Sequence, residues 1–147
     1  MEITSINTFN NIVKDNLNKI IVLKFTASWC GPCQRIKKDY ENLINAFPDI
    51  IFTEIDVDEM EKLTEHFEIS CMPTFIFIKS HQNKYETIKK IEGANISLVK
   101  QTCNQFTVTK NMENNDQKEL QPKNNISHNS PESYQTNNNY SDVNFNN

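Results

Sequence analysis

With 147 residues the chain suits one compact domain plus an appendage and is too short for two full domains. Hydrophobic residues are 37% of the total, below the globular average, so part of the chain is expected to lie outside a core. The net charge of −4 gives no basic footprint for nucleic acid, and no apolar run approaches the roughly 18 residues of a membrane span.

In chain order, Ile3 to Ile6 reads as a short strand. Thr8 to Leu17 reads as a helix, with Phe9, Ile12, Val13 and Leu17 on one face and Thr8 as N-cap. Ile20 to Ala27 is an apolar run interrupted by Lys24, the pattern of a strand buried on both faces. Residues 31 to 46 form a helix through Ile36, Tyr40, Leu43 and Ile44, closed by Pro48. Ile50 to Val57 is β-branched and reads as a strand, followed by a short helix over 59 to 67. Thr74 to Lys79 and Tyr85 to Glu92 are further strands, and a last helix covers about Ser97 to Phe106. The order βαβαβαββα predicts an α/β domain whose central mixed sheet is flanked by helices.

From about Thr107 the composition changes. Asn recurs through Asn147, interleaved with Gln, Ser, Lys and Glu. Apolar residues there are too sparse to offset the entropy of ordering, so residues 107 to 147 are expected to be a disordered tail on a domain of residues 1 to 106. Partner docking or Asn-driven self-association is the alternative reading of that tail.

The N-terminus has no basic region followed by an apolar stretch, and the C-terminus has no lipidation or retention motif, so a cytoplasmic location is expected. Four cysteines stand at 30, 33, 71 and 103. In a reducing compartment a close pair is redox-active or metal-binding rather than structural. Zinc needs further ligands at short spacing; no second pair exists, and His66, His81 and His128 are scattered. No metal and no other cofactor is therefore expected.

Cys30 and Cys33 straddle the first turn of a helix that leaves a buried strand, in Phe25-Thr26-Ala27-Ser28-Trp29-Cys30-Gly31-Pro32-Cys33. At this spacing the sulfurs can close a small ring, and its reversible closure is two-electron chemistry. Unpaired N–H groups at a helix start favour a thiolate at Cys30, which is the nucleophilic form. Pro32 suits the first turn because its missing N–H has no partner there to lose. Trp29 offers an apolar platform beside the sulfur. Gly31 and Gly93 are the chain's two glycines, expected where a side chain is excluded. Cys103 reads as a packed small hydrophobe.

Trp29-Cys30-Gly31-Pro32-Cys33 resembles the active site of thioredoxins. Ser70-Cys71-Met72-Pro73-Thr74-Phe75 resembles their cis-proline loop, and Glu54-Ile55-Asp56-Val57-Asp58 and Glu92-Gly93-Ala94-Asn95 match the same family in order. The resemblance spans about residues 1 to 106 and implies a thioredoxin fold and a protein-disulfide reductase. It implies that Cys30 attacks a substrate disulfide and Cys33 resolves the mixed disulfide. Trp29, Gly31, Pro32, Met72, cis-Pro73, Gly93 and Ala94 would line the substrate groove. Implied partners are disulfide-containing proteins and a thioredoxin reductase or other dithiol donor. The chain would act as a monomer, with Cys71 able to link two copies.

The chain also departs from that pattern. Lys24 occupies the place of a buried aspartate, and Glu54 stands where bacterial relatives often carry lysine. The expectation is an exchanged charge pair in which Glu54 supplies the carboxylate; the alternative is a Lys24 that snorkels to solvent. Gln34 replaces a lysine. Lys38 replaces a helix-kinking proline, so a straighter helix is expected. The Ser80 to Lys90 hairpin is longer than in relatives and lacks their turn glycine. Two further readings stay open: a binding module that grips partners through the groove, and a specialised oxidase or isomerase.

Overall fold

The structure, a computed structural model, describes residues 1 to 113 and 140 to 142, with side chains described for 1 to 107 and Ser141. Five strands form one sheet in the order β2-β1-β3-β4-β5. Strand β1 (Ile20–Thr26) runs parallel to β2 (Ile51–Asp56) and antiparallel to β3 (Thr74–His81). β4 (Lys84–Glu92) and β5 (Tyr140–Asp142) continue the antiparallel half.

Successive side chains of a strand point to opposite faces, and β1 shows what that does here. Ile21, Leu23 and Phe25 enter one core with Phe9, Val13, Ile55, Leu63 and Ile76. Val22 enters the other, with Ile36, Tyr40, Phe75, Phe77 and Val99. Helices α1 (Ile6–Asp15) and α4 (Glu61–His66) supply the first core. The helices α3 (Lys37–Ala46) and α5 (Ile96–Glu113) supply the second.

Several expectations are corrected. The cap of α1 is Ser5, in extended conformation, whose Oγ accepts the Thr8 N–H at 3.0 Å; Thr8 lies inside the helix. The helix ends at Asp15 because Asn18 turns left-handed at φ 61°, leaving Leu17 exposed. The first strand is reduced to a bridge, with Ile3 N–H on Glu54 O and Glu54 N–H on Met1 O, both at 2.9 Å. The helix expected over 31 to 46 is not straighter but divided, into α2 (Gly31–Arg35) and α3. Ile36 sits between them at φ −94°, ψ 2°, its side chain buried in the second core, so the interruption does not require a proline.

The β3–β4 hairpin turns on Gln82 and Asn83, and Asn83 at φ 54° takes the left-handed place that glycine would otherwise fill. The last helix starts at Ile96, where Asn95 Oδ1 accepts the Leu98 N–H at 3.0 Å. It continues to Glu113, so the expected domain boundary after Phe106 falls within it. The expected disorder of the tail concerns residues that lie, apart from 107 to 113 and 140 to 142, outside the described residues.

Candidate active site

Strand β1 ends at Thr26 and the chain turns through Ala27-Ser28-Trp29 into α2. The Cys30 N–H closes this turn on Ala27 O at 3.1 Å. Cys30 is the N-cap of α2, and its Sγ accepts the Cys33 N–H at 3.2 Å. The two cysteines are joined, with S–S 2.10 Å and Cα atoms 5.3 Å apart. Both are buried in the first core, so the apolar side of the site is continuous with the fold's interior. A cap donor aimed at the first sulfur stabilises negative charge there once the bond is reduced. Pro32 stands in the first turn of α2.

Opposite elements complete the surroundings. The Met72–Pro73 bond is cis, as the resemblance implied. Gly93 donates its N–H to Pro73 O at 2.8 Å, which ties the loop after β4 to the cis-proline loop. Met72 is half-buried against the first core, Pro73 is buried and Ala94 is exposed. The two glycines differ. Gly93 has φ 85°, and this backbone conformation, rather than crowding, is what disfavours a side chain, since a Cβ there would meet nothing within 4 Å. Gly31 is corrected: its Cβ would meet only Arg35 at an ordinary 3.8 Å, so no steric exclusion operates within the chain.

Trp29 is 66% exposed and held by a hydrogen bond from its Nε1 to Asp58 Oδ2 at 2.8 Å. Asp58 in turn donates its N–H to Asp56 Oδ1 at 2.9 Å. Sequence reasoning quoted Asp58 only as part of a motif and missed its role as the anchor of the indole. An acidic residue just past a strand parallel to the one leading into Trp29 was the available signal.

Lys24 and Glu54 face each other in the β1–β2 register, with Lys24 Nζ 2.7 Å from Glu54 Oε1. The Lys24 side chain is 4% exposed and that of Glu54 42%, so the cation is the buried member. Lys24 Nζ also lies 4.5 Å from the centroid of Tyr40. Tyr40, missed as a site residue, is buried and donates its hydroxyl to Thr53 O at 3.0 Å. Burial and the nearby Glu54 push its phenol well above its ordinary pKa, so it stays a neutral donor.

The remaining thiols sit apart from the pair. Cys71 is exposed on the cis-proline loop, and Cys103 is wholly buried, its pKa pushed up to about 12 by that burial. A thiol held neutral in this way is unreactive. No group of three or more His, Cys, Asp or Glu side chains able to hold a metal ion occurs among the described residues. Nor is any helix among them long and apolar enough to cross a membrane.

The thioredoxin family model matches residues 1 to 104. The chain is similar to thioredoxin of Ictalurus punctatus, 37% identical over 106 residues that cover 71% of this chain and 95% of the relative. It is 34% identical to Homo sapiens thioredoxin over 105 residues, covering 71% and 96%. Among solved structures, mitochondrial thioredoxin 3 of Saccharomyces cerevisiae in its oxidised form superposes with a TM-score of 0.64 at 34% identity, covering 71% of this chain and 93% of that one. Thioredoxin of Fasciola hepatica gives 0.65 at 29%, covering 71% and 96%. With these matches and the paired Cys30 and Cys33, the chain belongs to the thioredoxin family and is a thiol–disulfide oxidoreductase.

Proposed function

We propose that Cys30 is the attacking thiolate and Cys33 the resolving thiol in the reduction of protein disulfides. The observation that carries this assignment is the Cys33 N–H donated to Cys30 Sγ at the cap of α2, which favours charge on the first sulfur rather than the second. Cys30 Sγ attacks one sulfur of the substrate disulfide, forming a mixed disulfide and releasing the other substrate sulfur as a thiolate that takes a proton. Cys33 then loses its proton and attacks Cys30 Sγ. This forms the Cys30–Cys33 disulfide and releases the second substrate thiol. An external dithiol, of the kind a thioredoxin reductase supplies, returns the pair to its reduced form by the same exchange.

Trp29, Gly31, Pro32, Met72, Pro73, Gly93 and Ala94 form the substrate groove in this reading; the Phe25–Thr74 register at the end of the strand that leads to the cysteines, and the Gly93 N–H on Pro73 O, support it. An extended substrate segment would lie against the Met72 backbone. Glu54, positioned by Lys24, serves as the carboxylate that receives the Cys33 proton by way of solvent, which its partly exposed side chain favours. The family domain is assigned to residues 1 to 106, with its last helix running on to Glu113 into the Asn-rich extension. The cytoplasm fits a dithiol that a cellular donor keeps reduced. The working unit is a monomer, with exposed Cys71 as the thiol through which two copies would join; sedimentation with and without reductant measures this.

Dithiothreitol-dependent insulin reduction tests the roles of the two sulfurs. Cys30→Ser is expected to fall to the uncatalysed rate. Cys33→Ser is expected to stop after the first exchange and accumulate mixed disulfides on residue 30. Mixed disulfides accumulating on residue 33 in Cys30→Ser, with none on residue 30 in Cys33→Ser, would reverse the assignment.

A further inference from the structure

The edge of the sheet beyond β4 is occupied by the chain's own C-terminal segment. β5 lies antiparallel to the start of β4, in the register Lys84↔Asp142, Tyr85↔Ser141 and Glu86↔Tyr140. The family model ends at residue 104, so this strand is an addition to the family domain. With β5 set aside, the strand order leaves β4 outermost. An outermost strand presents unpaired N–H and C=O groups and accepts another strand.

Only part of that edge is suited to pairing. At one end stands the Gln82-Asn83 turn. At the other, the β3–β4 register shifts: Phe77 faces Lys89 while Ile78 faces Thr87, which leaves Ile88 as an extra residue. Such a bulge bends its strand and ends regular pairing along it. The usable length is therefore about Lys84 to Thr87, and the three residues of β5 fit within it.

The middle position of this stretch is chemically distinct. Tyr85 is wholly buried, its ring edge-on to Phe9 at 5.6 Å and tilted against Phe67 at 5.8 Å. Its hydroxyl lies 2.5 Å from His66 Nε2, and Ser141 is its register partner on β5, on the same face of the sheet. A generic edge residue would offer an incoming strand backbone groups alone. Here the position opposite residue 85 also faces a side chain whose phenol oxygen is already oriented by α4. The outer register pair sets Asp142 opposite Lys84.

We propose that Lys84–Glu86 is a short strand-addition site whose resident occupant is the chain's own segment Tyr140–Asp142, selected by the Ser141 hydroxyl against Tyr85. Occupation covers backbone groups that the family domain leaves to solvent and fastens the far end of the Asn-rich extension to the sheet. Thr74, beside Pro73, pairs with Glu92, whereas His81 pairs with Lys84, so the docking site lies at the end of the hairpin away from the cysteines. The dithiol reaction is independent of it.

Amide hydrogen exchange on the full chain, on a chain lacking residues 140 to 147, and on the full-length variants Ser141→Pro and Ser141→Ala tests this. The amides of Lys84–Glu86 that point away from β3 are expected to exchange at least about tenfold faster in the truncated chain and in Ser141→Pro. Ser141→Ala is expected to fall between these and the parent, and all four chains to reduce insulin equally. Equal exchange in the full and truncated chains would overturn the docking. Full protection in Ser141→Ala would overturn the selection by its hydroxyl. Loss of insulin reduction on truncation would overturn the independence of the two sites.

Discussion

Leu23 and Lys24 are consecutive residues of one strand, equally shut off from solvent, and they face opposite layers of the protein. Leu23 enters a core of aliphatic and aromatic side chains, where burial stabilises in proportion to the apolar area removed from water. Lys24 enters the other layer, where burial of an ammonium is unfavourable unless something replaces its hydration. Glu54 at 2.7 Å and the face of Tyr40 at 4.5 Å are that replacement. One face of the sheet is held by filling space and is indifferent to which apolar atoms fill it. The other, at this position, is held by a specified pair, and the two should fail differently.

The largest expected effect lies on the apolar face. Leu23→Ala removes a wholly buried side chain from the middle of the sheet and is expected to cost about 3 kcal/mol through lost transfer energy and the cavity left behind. For a domain of this size that lowers Tm by roughly 15 °C. Denaturant unfolding measures it. A loss under about 1 kcal/mol would mean that the layer collapses around the gap, and the contrast between the faces would lose its basis.

At the Lys24 position of the other face the two partners are not equivalent, because only one is buried. Glu54→Ala strands the Lys24 ammonium in the interior with the Tyr40 ring as its remaining partner, an expected loss of about 2 to 3 kcal/mol. Lys24→Met removes the buried charge itself and leaves Glu54 with solvent on its exposed side, so the expected change is about 1 kcal/mol or less. The same two variants separate stability from chemistry. If the carboxylate receives the Cys33 proton, Glu54→Ala alters the pH–rate profile of insulin reduction while Lys24→Met, still folded, alters it less. The reverse order of stabilities, with Lys24→Met the more damaging, would show that the lysine stem packs the layer and that its charge is incidental.

How far the sequence disclosed this molecule follows the same division. The strands around Leu23 and Ile76 were legible because burial on both faces leaves an apolar run, broken in the first only at Lys24, and the strand around Ile55 was legible from its β-branched residues. The cysteine pair was legible because strand, Trp29, spacer and helix start are contiguous in the chain. The Lys24–Glu54 juxtaposition could be suspected from the resemblance, but whether the cation snorkels depends on packing, and Tyr40 closes over it from a helix that the sequence does not position. Asp58 escaped notice for the same reason, since its contact with Trp29 joins residues 29 positions apart. Local competition explains the cap of α1, where Ser5 and Thr8 are both good caps and only the extended backbone at Ser5 decides between them. The strand at Tyr140–Asp142 was illegible because three residues carry no periodicity. Its pairing depends on an edge and a phenol supplied more than fifty residues earlier in the chain.

The smallest effect expected concerns pH, and it returns to the apolar face. His66 closes the α4 end of that layer, with its ring edge-on to Phe67 at 4.9 Å and its Nε2 on the Tyr85 hydroxyl. Partial burial lowers its pKa from the ordinary value of 6.5. The folded protein therefore binds a proton at His66 less readily than the unfolded chain does. Stability follows the difference in bound protons, so the contribution is fully present above about pH 6.5 and is lost as pH falls through the folded value. Because the residue is exposed for much of its surface, the slope is expected to be shallow. Unfolding free energies measured between about pH 7.5 and 5.5, above the range where most carboxylates titrate, should decline toward acid in the parent and decline less in His66→Gln. A parent that gains stability toward pH 5.5 relative to that variant would mean that the imidazolium is favoured in the fold, and that this corner is held by charge after all.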